Sequence, residues 1–195
     1  MPPKAKITKN MILNTILDIT RENGFDAVNA RSIAAKLQCS TRPIFTCYEN
    51  MEELKKDFLD FSYKLYIQFV TDYSNSATVS PYLFLPLSYI EFAKTEPFLF
   101  KLLFINDMTL DMKEPTDFYK EIDNEERATA FSNMIGMDLD SSKRIFFNLF
   151  IYFHGIAVLT TTKKILLAEK DMESMIMNVL VALIKQEKPD WRPSF

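Results

Sequence analysis

Apolar residues recur at intervals of three and four along most of the chain, which is the spacing of amphipathic α-helices. The first segment carries its apolar residues at this spacing: Ile12, Leu13, Ile16, Leu17 and Ile19. We predict a helix over 8–23, with Thr8 as its N-cap and Gly24 as its C-terminal stop.

Two short helices are expected next. Asn29 is a suitable N-cap for a helix over 30–37, and Ser40 for another over 41–47. Gln38 interrupts the pattern between them, so the two helices are separated by a tight turn. The second helix is polar on the side that faces away from its apolar residues.

Longer helices fill the rest of the chain. Asn50 and Glu53 have the spacing of a capping box and predict the start of a helix that extends to about Tyr73. Further helices are predicted over 80–95, 97–106, 115–134, 140–164 and 171–187. The periodicity therefore predicts an all-α fold.

The amino-acid composition excludes several kinds of functional site. The chain has three glycines, one histidine and two cysteines among 195 residues. Three scattered glycines cannot build a glycine-rich phosphate loop. One histidine excludes most structural zinc sites and His-based catalytic triads. We therefore expect a protein that is not an enzyme and needs no metal or cofactor.

The cysteines and the longest apolar stretch bear on the compartment. Cys39 and Cys47 are eight residues apart, which is about 12 Å along a helix and too far for a disulfide. The longest apolar stretch, 146–159, is shorter than the roughly 20 residues of a membrane span. The N-terminus has no apolar signal segment. These features predict free thiols and a cytoplasmic protein with no membrane partner.

Charge is distributed unevenly. Residues 1–48 contain seven basic and three acidic side chains, a net charge of +4. The remainder contains 16 basic and 23 acidic side chains, a net charge of −7. A basic N-terminal module on an acidic body favours contact with a polyanion. A chance asymmetry of a few charges is the alternative.

The segment 28–54 carries the functional pattern. Two short helices with a tight turn between them form a helix-turn-helix, in which the second helix enters the major groove of DNA. The segment resembles the DNA-binding region of TetR/AcrR-family transcriptional regulators at Ile33-Ala34, Ser40, Ile44, Tyr48, Asn50, Glu53 and Leu54, and the stretch Glu22-Asn23-Gly24-Phe25 is similar to the end of the family's first helix. The motif covers about residues 10–60.

Four positions differ from the family pattern. Phe45 stands where the family usually has Tyr, Cys47 where it has His, Met51 where it has Lys and Gln38 where the turn has Gly. Phosphate contacts are therefore expected to be distributed differently. The candidates are Lys4, Lys6, Lys9 and Lys55.

The resemblance implies a division into a helix-turn-helix DNA-binding domain over 1–52 and a larger helical ligand-binding and dimerisation domain over 53–195. It implies a homodimer that binds a palindromic double-stranded DNA operator. The expected function is transcriptional repression that a small hydrophobic or aromatic effector relieves. The alternative is a ligand- or protein-binding helical module whose degenerate helix-turn-helix binds DNA weakly or not at all.

The expected DNA-binding residues lie in and around the two short helices: Arg31, Ser40, Thr41, Arg42, Pro43, Phe45, Thr46, Tyr48 and Lys55. Arg31 and Arg42 are the candidates for guanine edges, the commonest specific contact in the major groove. Ser40 and Thr41 suit phosphate or capping roles, and Tyr48 is first of all a core residue. Two solvated arginines are the plain alternative.

The C-terminal part supplies the other two candidate sites. The expected ligand-binding residues are Phe92, Phe100, Phe104, Phe150 and His154. Core phenylalanines and a hydrogen-bonded core histidine are the alternative for this set. The expected dimer interface lies on the last two helices, which form the interface in this family: Ile156, Leu159, Met175, Ile176, Val179, Leu180, Leu183 and Ile184.

Overall fold

A computed structural model describes residues 6–76, 79–108, 112–121 and 123–192. All regular structure in this part of the chain is helical, without a strand, which confirms the all-α prediction. The α-helices are α1 (Lys9–Asn23), α2 (Ala30–Lys36), α3 (Arg42–Cys47), α4 (Met51–Ser76), α5 (Phe84–Thr95), α6 (Pro97–Lys101), α7 (Asn124–Ile135), α8 (Leu139–Thr161) and α9 (Glu169–Glu187).

The chain divides into two compact units. The N-terminal unit contains the residues up to 69 together with 96–107, and the C-terminal unit contains 70–95 and the residues from 108 onward. This division differs from the predicted boundary between residues 52 and 53. The N-terminal unit is made of two separate stretches of sequence, which helical periodicity does not show.

The N-terminal unit begins with α1, whose two ends are capped as predicted. The Thr8 Oγ1 accepts a hydrogen bond from the backbone N–H of Met11 at 3.3 Å. Gly24 has a φ of 82°, and its N–H donates to the carbonyl of Thr20 at 2.9 Å. A Cβ at Gly24 would lie 3.3 Å from the ring of Phe98, so both the backbone conformation and the close ring favour glycine.

The core of this unit forms where α1, α2 and α3 meet the start of α4. Apolar side chains that are fully buried there are Ile12, Ile16, Ile33, Ile44, Leu54 and Phe58. The ring of Phe25 stacks on that of Phe58, with 5.6 Å between centroids. Burial of these side chains, at about 25 cal/mol per Å² of apolar surface, holds the short α2 and α3 in place.

The stretch 96–107 completes the N-terminal unit, and an ion pair ties each of its ends. Arg21 forms a two-point contact with the Glu96 carboxylate, in which Nε donates to Oε2 at 3.0 Å. Lys55 Nζ lies 2.7 Å from Asp107 Oδ1. Between these pairs, α6 continues into a π-helical turn at Leu102–Asn106. The predicted helix over 97–106 is therefore present, with a wider last turn.

The C-terminal unit is built around α8. This helix packs against α5, α7 and α9. Its buried apolar residues are Ile145, Phe146, Leu149, Phe153, Ile156 and Ala157. Within the described ranges, α8 is the one helix long and apolar enough to cross a membrane by length and composition.

Several predicted boundaries in this unit are wrong. The single helix expected over 115–134 is instead a 3₁₀ turn at Pro115–Lys120 followed by α7. Asp123 separates them with a φ of 69°, which no α-helix accepts. The helix expected over 140–164 ends at Thr161, before Lys163, whose φ is 54°. Caps and left-handed residues set these ends, and apolar periodicity does not report them.

Candidate nucleic-acid interface

Asn29 and Ser32 fix the start of α2. The Asn29 Oδ1 accepts hydrogen bonds from the backbone N–H groups of Arg31 and Ser32, both at 3.0 Å. The Ser32 Oγ in turn accepts from the Asn29 N–H at 3.0 Å. This reciprocal capping confirms the predicted N-cap and places the Arg31 side chain on the exposed side of α2.

The turn after α2 contains a residue in the left-handed conformation. Gln38 has a φ of 51°. The N–H of Cys39 donates to the carbonyl of Ala34 at 3.0 Å, and the N–H of Gln38 to that of Ala35 at 3.1 Å. This is a Schellman motif, whose left-handed position strongly favours glycine. The turn thus keeps the geometry that glycine would provide, at the cost of a strained Gln38.

The short helix α3 has one buried side and one exposed side. Ile44 points inward and is fully buried, whereas Arg42, Thr46 and Phe45 are exposed, Phe45 to 47%. Pro43 lies in the first turn. Thr41 is the N-cap, without a side-chain capping bond, so the prediction of Ser40 as the cap is wrong.

Tyr48 follows α3 and belongs to the core. Its side chain is 2% exposed, and its hydroxyl donates to Asp57 Oδ2 at 2.7 Å. Burial and the Asp57 carboxylate raise the pKa of Tyr48. The inclusion of Tyr48 among the DNA-binding residues therefore needs correction, because both its ring and its hydroxyl are engaged inside the N-terminal unit.

Arg31 and Arg42 differ from Lys9 and Lys36, which both have a carboxylate neighbour. Their side chains are exposed, and the guanidinium groups form no ion pair with any residue that the structure describes. Lys36 pairs with Glu22 at 2.6 Å. Lys9 lies 3.6 Å from Glu53 Oε1. The donors of both arginines therefore remain available to a ligand.

Lys55 has a carboxylate partner within its own unit. Its hydrogen bond to Asp107 raises the pKa of the Lys55 ammonium. A phosphate contact by Lys55 would have to compete with that carboxylate. Lys4, another candidate for phosphate contact, lies outside the described residues.

The five predicted ligand-binding residues are divided between the two units. Phe100 and Phe104 belong to the N-terminal unit, where their ring centroids are 5.3 Å apart. Phe92, Phe150 and His154 belong to the C-terminal unit. Helical periodicity does not show that 96–107 folds with the first unit, and one site formed by all five residues stays a prediction.

His154 sits in an aromatic cluster. Its Nδ1 lies 2.9 Å from the hydroxyl of Tyr89, and its ring stacks on Phe150 with 5.3 Å between centroids. Burial lowers the pKa of His154, so the ring is neutral at pH 7. This arrangement agrees with the hydrogen-bonded core histidine that the sequence left open.

A separate apolar cavity of about 260 Å³ lies in the C-terminal unit. Its walls come from the segment before α5 and from α5, α7 and α8, and the described residues that line it are Pro81, Tyr82, Phe84, Leu85, Pro86, Arg127, Ala130, Phe131, Met134, Phe146, Leu149 and Phe153. The five predicted residues are not in this set. All of these lining residues were missed by the sequence analysis, although the spacing of Phe131 and Met134 on α7 could have indicated an inward face.

The predicted dimer residues fall into two groups. Ile156, Ile176, Leu180 and Ile184 are buried within the C-terminal unit. Leu159 is 43% exposed, and Met175, Val179 and Leu183 are partly exposed. The apolar stripe of α9 is therefore mainly a core face, so the four buried residues are corrected to core residues. Ile151 on α8, which the sequence analysis missed, is 52% exposed.

Cys39 and Cys47 are both free, as predicted. No group of three or more His, Cys, Asp or Glu side chains among the described residues could hold a metal ion. No protein-family model and no curated protein matches the chain.

Proposed function

We propose that the chain is a homodimeric, TetR-like transcriptional repressor that binds DNA through α3 and is released by a small hydrophobic or aromatic ligand. The observation that carries this proposal is the surface formed by α2 and α3. It presents the two unpaired arginines, Arg31 and Arg42, beside the exposed side chains of Phe45 and Thr46. The proposal includes a cytoplasmic location and no cofactor.

The short α3 suits insertion of its exposed side into a major groove, which admits one helix. Arg42 in its first turn can donate two hydrogen bonds to a guanine edge. Phe45 offers an apolar contact, for example with a thymine methyl group, in place of the hydroxyl that a tyrosine would bring. Arg31 extends the same cationic surface onto α2.

Selection of bound DNA from a random pool, followed by affinity measurements on the selected operator, tests this proposal. Arg31→Ala and Arg42→Ala are each expected to relax the sequence preference at one position of every half-site, by about 1–3 kcal/mol. Arg192→Ala, an exposed arginine of the C-terminal unit, is the matched control. Unchanged affinity and preference in both variants would remove the assignment of these arginines.

The effector part of the proposal rests on the 260 Å³ cavity. Its walls are largely aromatic and aliphatic, which favours a small apolar ligand over a charged one. The two units are joined through α4, which crosses from one to the other at residue 70, and through the junctions at 95–96 and 107–108. A ligand-induced change in the C-terminal unit can therefore reach the DNA-binding surface along the chain.

Homodimerisation rests on the exposed apolar residues of α8. Ile151 and Leu159 lie eight residues apart on one helix, with the exposed Gly155 between them. Apolar residues four apart share a helix face, so they offer a stripe to a second copy. Two copies would supply the two DNA-binding surfaces that a palindromic operator requires.

A degenerate module that binds DNA weakly is the second candidate function. The observation in its favour is that Lys9, Lys36 and Lys55 all have carboxylate neighbours. Sequence-independent affinity depends on cations that release counterions from phosphates. Failure to select any operator, together with a flat dependence of DNA binding on salt, would favour this candidate.

A further inference from the structure

A second cavity of the C-terminal unit has a different chemistry. It has a volume of about 600 Å³ and lies between the 3₁₀ turn at 115–120 and the first half of α8. The described residues that line it are Pro115, Thr116, Tyr119, Asp140, Lys143, Arg144, Phe147 and Asn148. Its size falls within the usual range of small-molecule sites, roughly 300–1,000 Å³.

One wall of this cavity is apolar and held in place. The Tyr119 hydroxyl donates to the backbone carbonyl of Lys143, which ties the 3₁₀ turn to α8. Burial raises the pKa of Tyr119, so its ring stays neutral. The half-buried Phe147 and the exposed Pro115 add apolar surface. This wall fits the flat, apolar body of a ligand.

The other side of the cavity carries hydrogen-bond donors. Arg144 donates through Nη2 to Glu187 Oε2 at 3.0 Å and to Ser141 Oγ at 2.9 Å, and through Nε to Glu187 Oε1 at 3.4 Å. These contacts fix the guanidinium plane. Among the described residues, no partner occupies its Nη1 edge. Lys143 Nζ pairs with Glu125 at 2.6 Å and keeps donors to spare.

The charges of the lining decide which ligand fits. Two cations and one carboxylate, Asp140, line the cavity, and Glu125 and Glu187 pair with the cations from outside, so these five groups carry a net charge of −1. A polyanion such as a phosphate ester would gain little from cations that are already balanced. A ligand with a single carboxylate can accept a hydrogen bond from the open Nη1 edge of Arg144. The apolar part of such a ligand can then pack on Phe147 and Tyr119.

We infer that this cavity binds an amphipathic monocarboxylate, with its carboxylate on Arg144 and Lys143 and its apolar body against Tyr119 and Phe147. This site is distinct from the 260 Å³ apolar cavity. It needs neither DNA nor dimerisation, so it can be tested independently of the proposed function.

The test is isothermal titration of the full-length chain, without DNA, with 2-naphthoate and with its neutral isostere 2-naphthamide. Naphthoate is expected to bind about tenfold more tightly than the amide, because a charge-assisted hydrogen bond is stronger than a neutral one. Excess inorganic phosphate at matched ionic strength is expected to leave the naphthoate affinity unchanged. Equal binding of the two probes, no binding of either, or displacement by phosphate would overturn the assignment.

Two variants locate the site. Arg144→Leu is expected to remove the advantage of naphthoate while retaining naphthamide binding, and Arg192→Leu serves as the matched control. Asp140→Asn is expected to tighten naphthoate binding about threefold, because it removes a nearby like charge. This second variant keeps the assignment testable if loss of Arg144 prevents folding. Wild-type affinities in both variants would overturn it.

Discussion

At the scale of single residues, the turn after α2 shows what one departure from the resembled pattern does. Gln38 is left-handed at a position where glycine is favoured, and the Schellman bonds hold it there. The missing glycine therefore changes the stability of the turn without changing its geometry. The sequence predicts the turn, but the sign of φ at Gln38 follows from the hydrogen bonds that close α2.

Gln38→Gly is expected to raise the free energy of unfolding by about 1 kcal/mol, since an L-residue pays roughly that amount in the left-handed region. Ala35→Gly, in the exposed part of α2, is the matched control and should lower it by about 1 kcal/mol. Urea unfolding followed by circular dichroism measures both. A Gln38→Gly variant less stable than the wild type would show that the turn is not strained.

Tyr48 links residue burial to a pH effect. Its pKa is raised in the folded state, so the unfolded chain loses the phenolic proton first as pH rises. Stability is therefore complete below the unfolded pKa of about 10 and falls above it, by about 1.4 kcal/mol per pH unit for each such tyrosine.

Tyr48→Phe should remove one such contribution. The variant is expected to be about 1 kcal/mol less stable at pH 7, because Asp57 loses its hydrogen-bond partner. Above pH 10 its unfolding free energy should decline less steeply than that of the wild type. Urea titrations at several alkaline pH values measure the two slopes. Identical slopes would mean that Tyr48 ionises equally easily in both states.

At the scale of elements, apolar periodicity identifies most of the helices but does not distinguish a core face from an interface. The stripe on α9 illustrates this limit, because Ile176, Leu180 and Ile184 are fully buried within the C-terminal unit. The same spacing would arise in a helix that meets a second copy. Only the packing of α9 against α8 and α5 decides which surface is already covered.

A dimerisation test must therefore spare the core. Leu180→Glu would place a charge in the core and unfold the unit. Ile151→Glu combined with Leu159→Glu alters exposed positions instead, and is expected to give a folded monomer in light scattering. Ile105→Glu changes an exposed residue of the N-terminal unit and is the control. A persistent, fully helical dimer in the double variant would place the interface elsewhere.

The helix predicted over 115–134, which is interrupted in the structure, shows where sequence reasoning stops at this scale. Apolar spacing continues through the segment, yet Asp123 adopts a positive φ and the Asn124 side chain donates to the Phe118 carbonyl at 2.9 Å. A polar side chain that satisfies its own turn competes with the helix. The 600 Å³ cavity, which uses this 3₁₀ turn, could not be predicted for that reason.

At the scale of the whole molecule, the proposed function requires that a ligand in one unit weakens DNA binding by the other. The apolar cavity of about 260 Å³ is small for a drug-sized ligand, so a single-ring aromatic is the expected effector class. Toluene is a suitable probe. It should lower the affinity for the selected operator by about 5- to 150-fold, the usual range of such coupling.

Ala130→Leu narrows this cavity and should weaken both the binding of toluene and its effect on DNA. Operator affinity without ligand should stay near that of the wild type, since Ala130 is remote in sequence from α2 and α3. Fluorescence anisotropy with labelled operator, in the presence and absence of toluene, measures the coupling. Toluene that binds one site per chain and leaves operator affinity unchanged would contradict the mechanism.

Because 96–107 belongs to the N-terminal unit, that unit is encoded by two separate stretches of the gene, which restricts how it can be exchanged by recombination. The gene segment for residues 1–76 does not encode a complete N-terminal unit. The apolar residues Leu99, Phe100 and Leu102 are buried. The ion-pair partners of Arg21 and Lys55 are Glu96 and Asp107, which also lie in 96–107. A single recombination crossover after α4 would combine residues 1–76 of one protein with a segment equivalent to 96–107 from another. Under the proposed function, new operator specificities should therefore arise by substitution on α2 and α3 more readily than by exchange of the whole N-terminal unit.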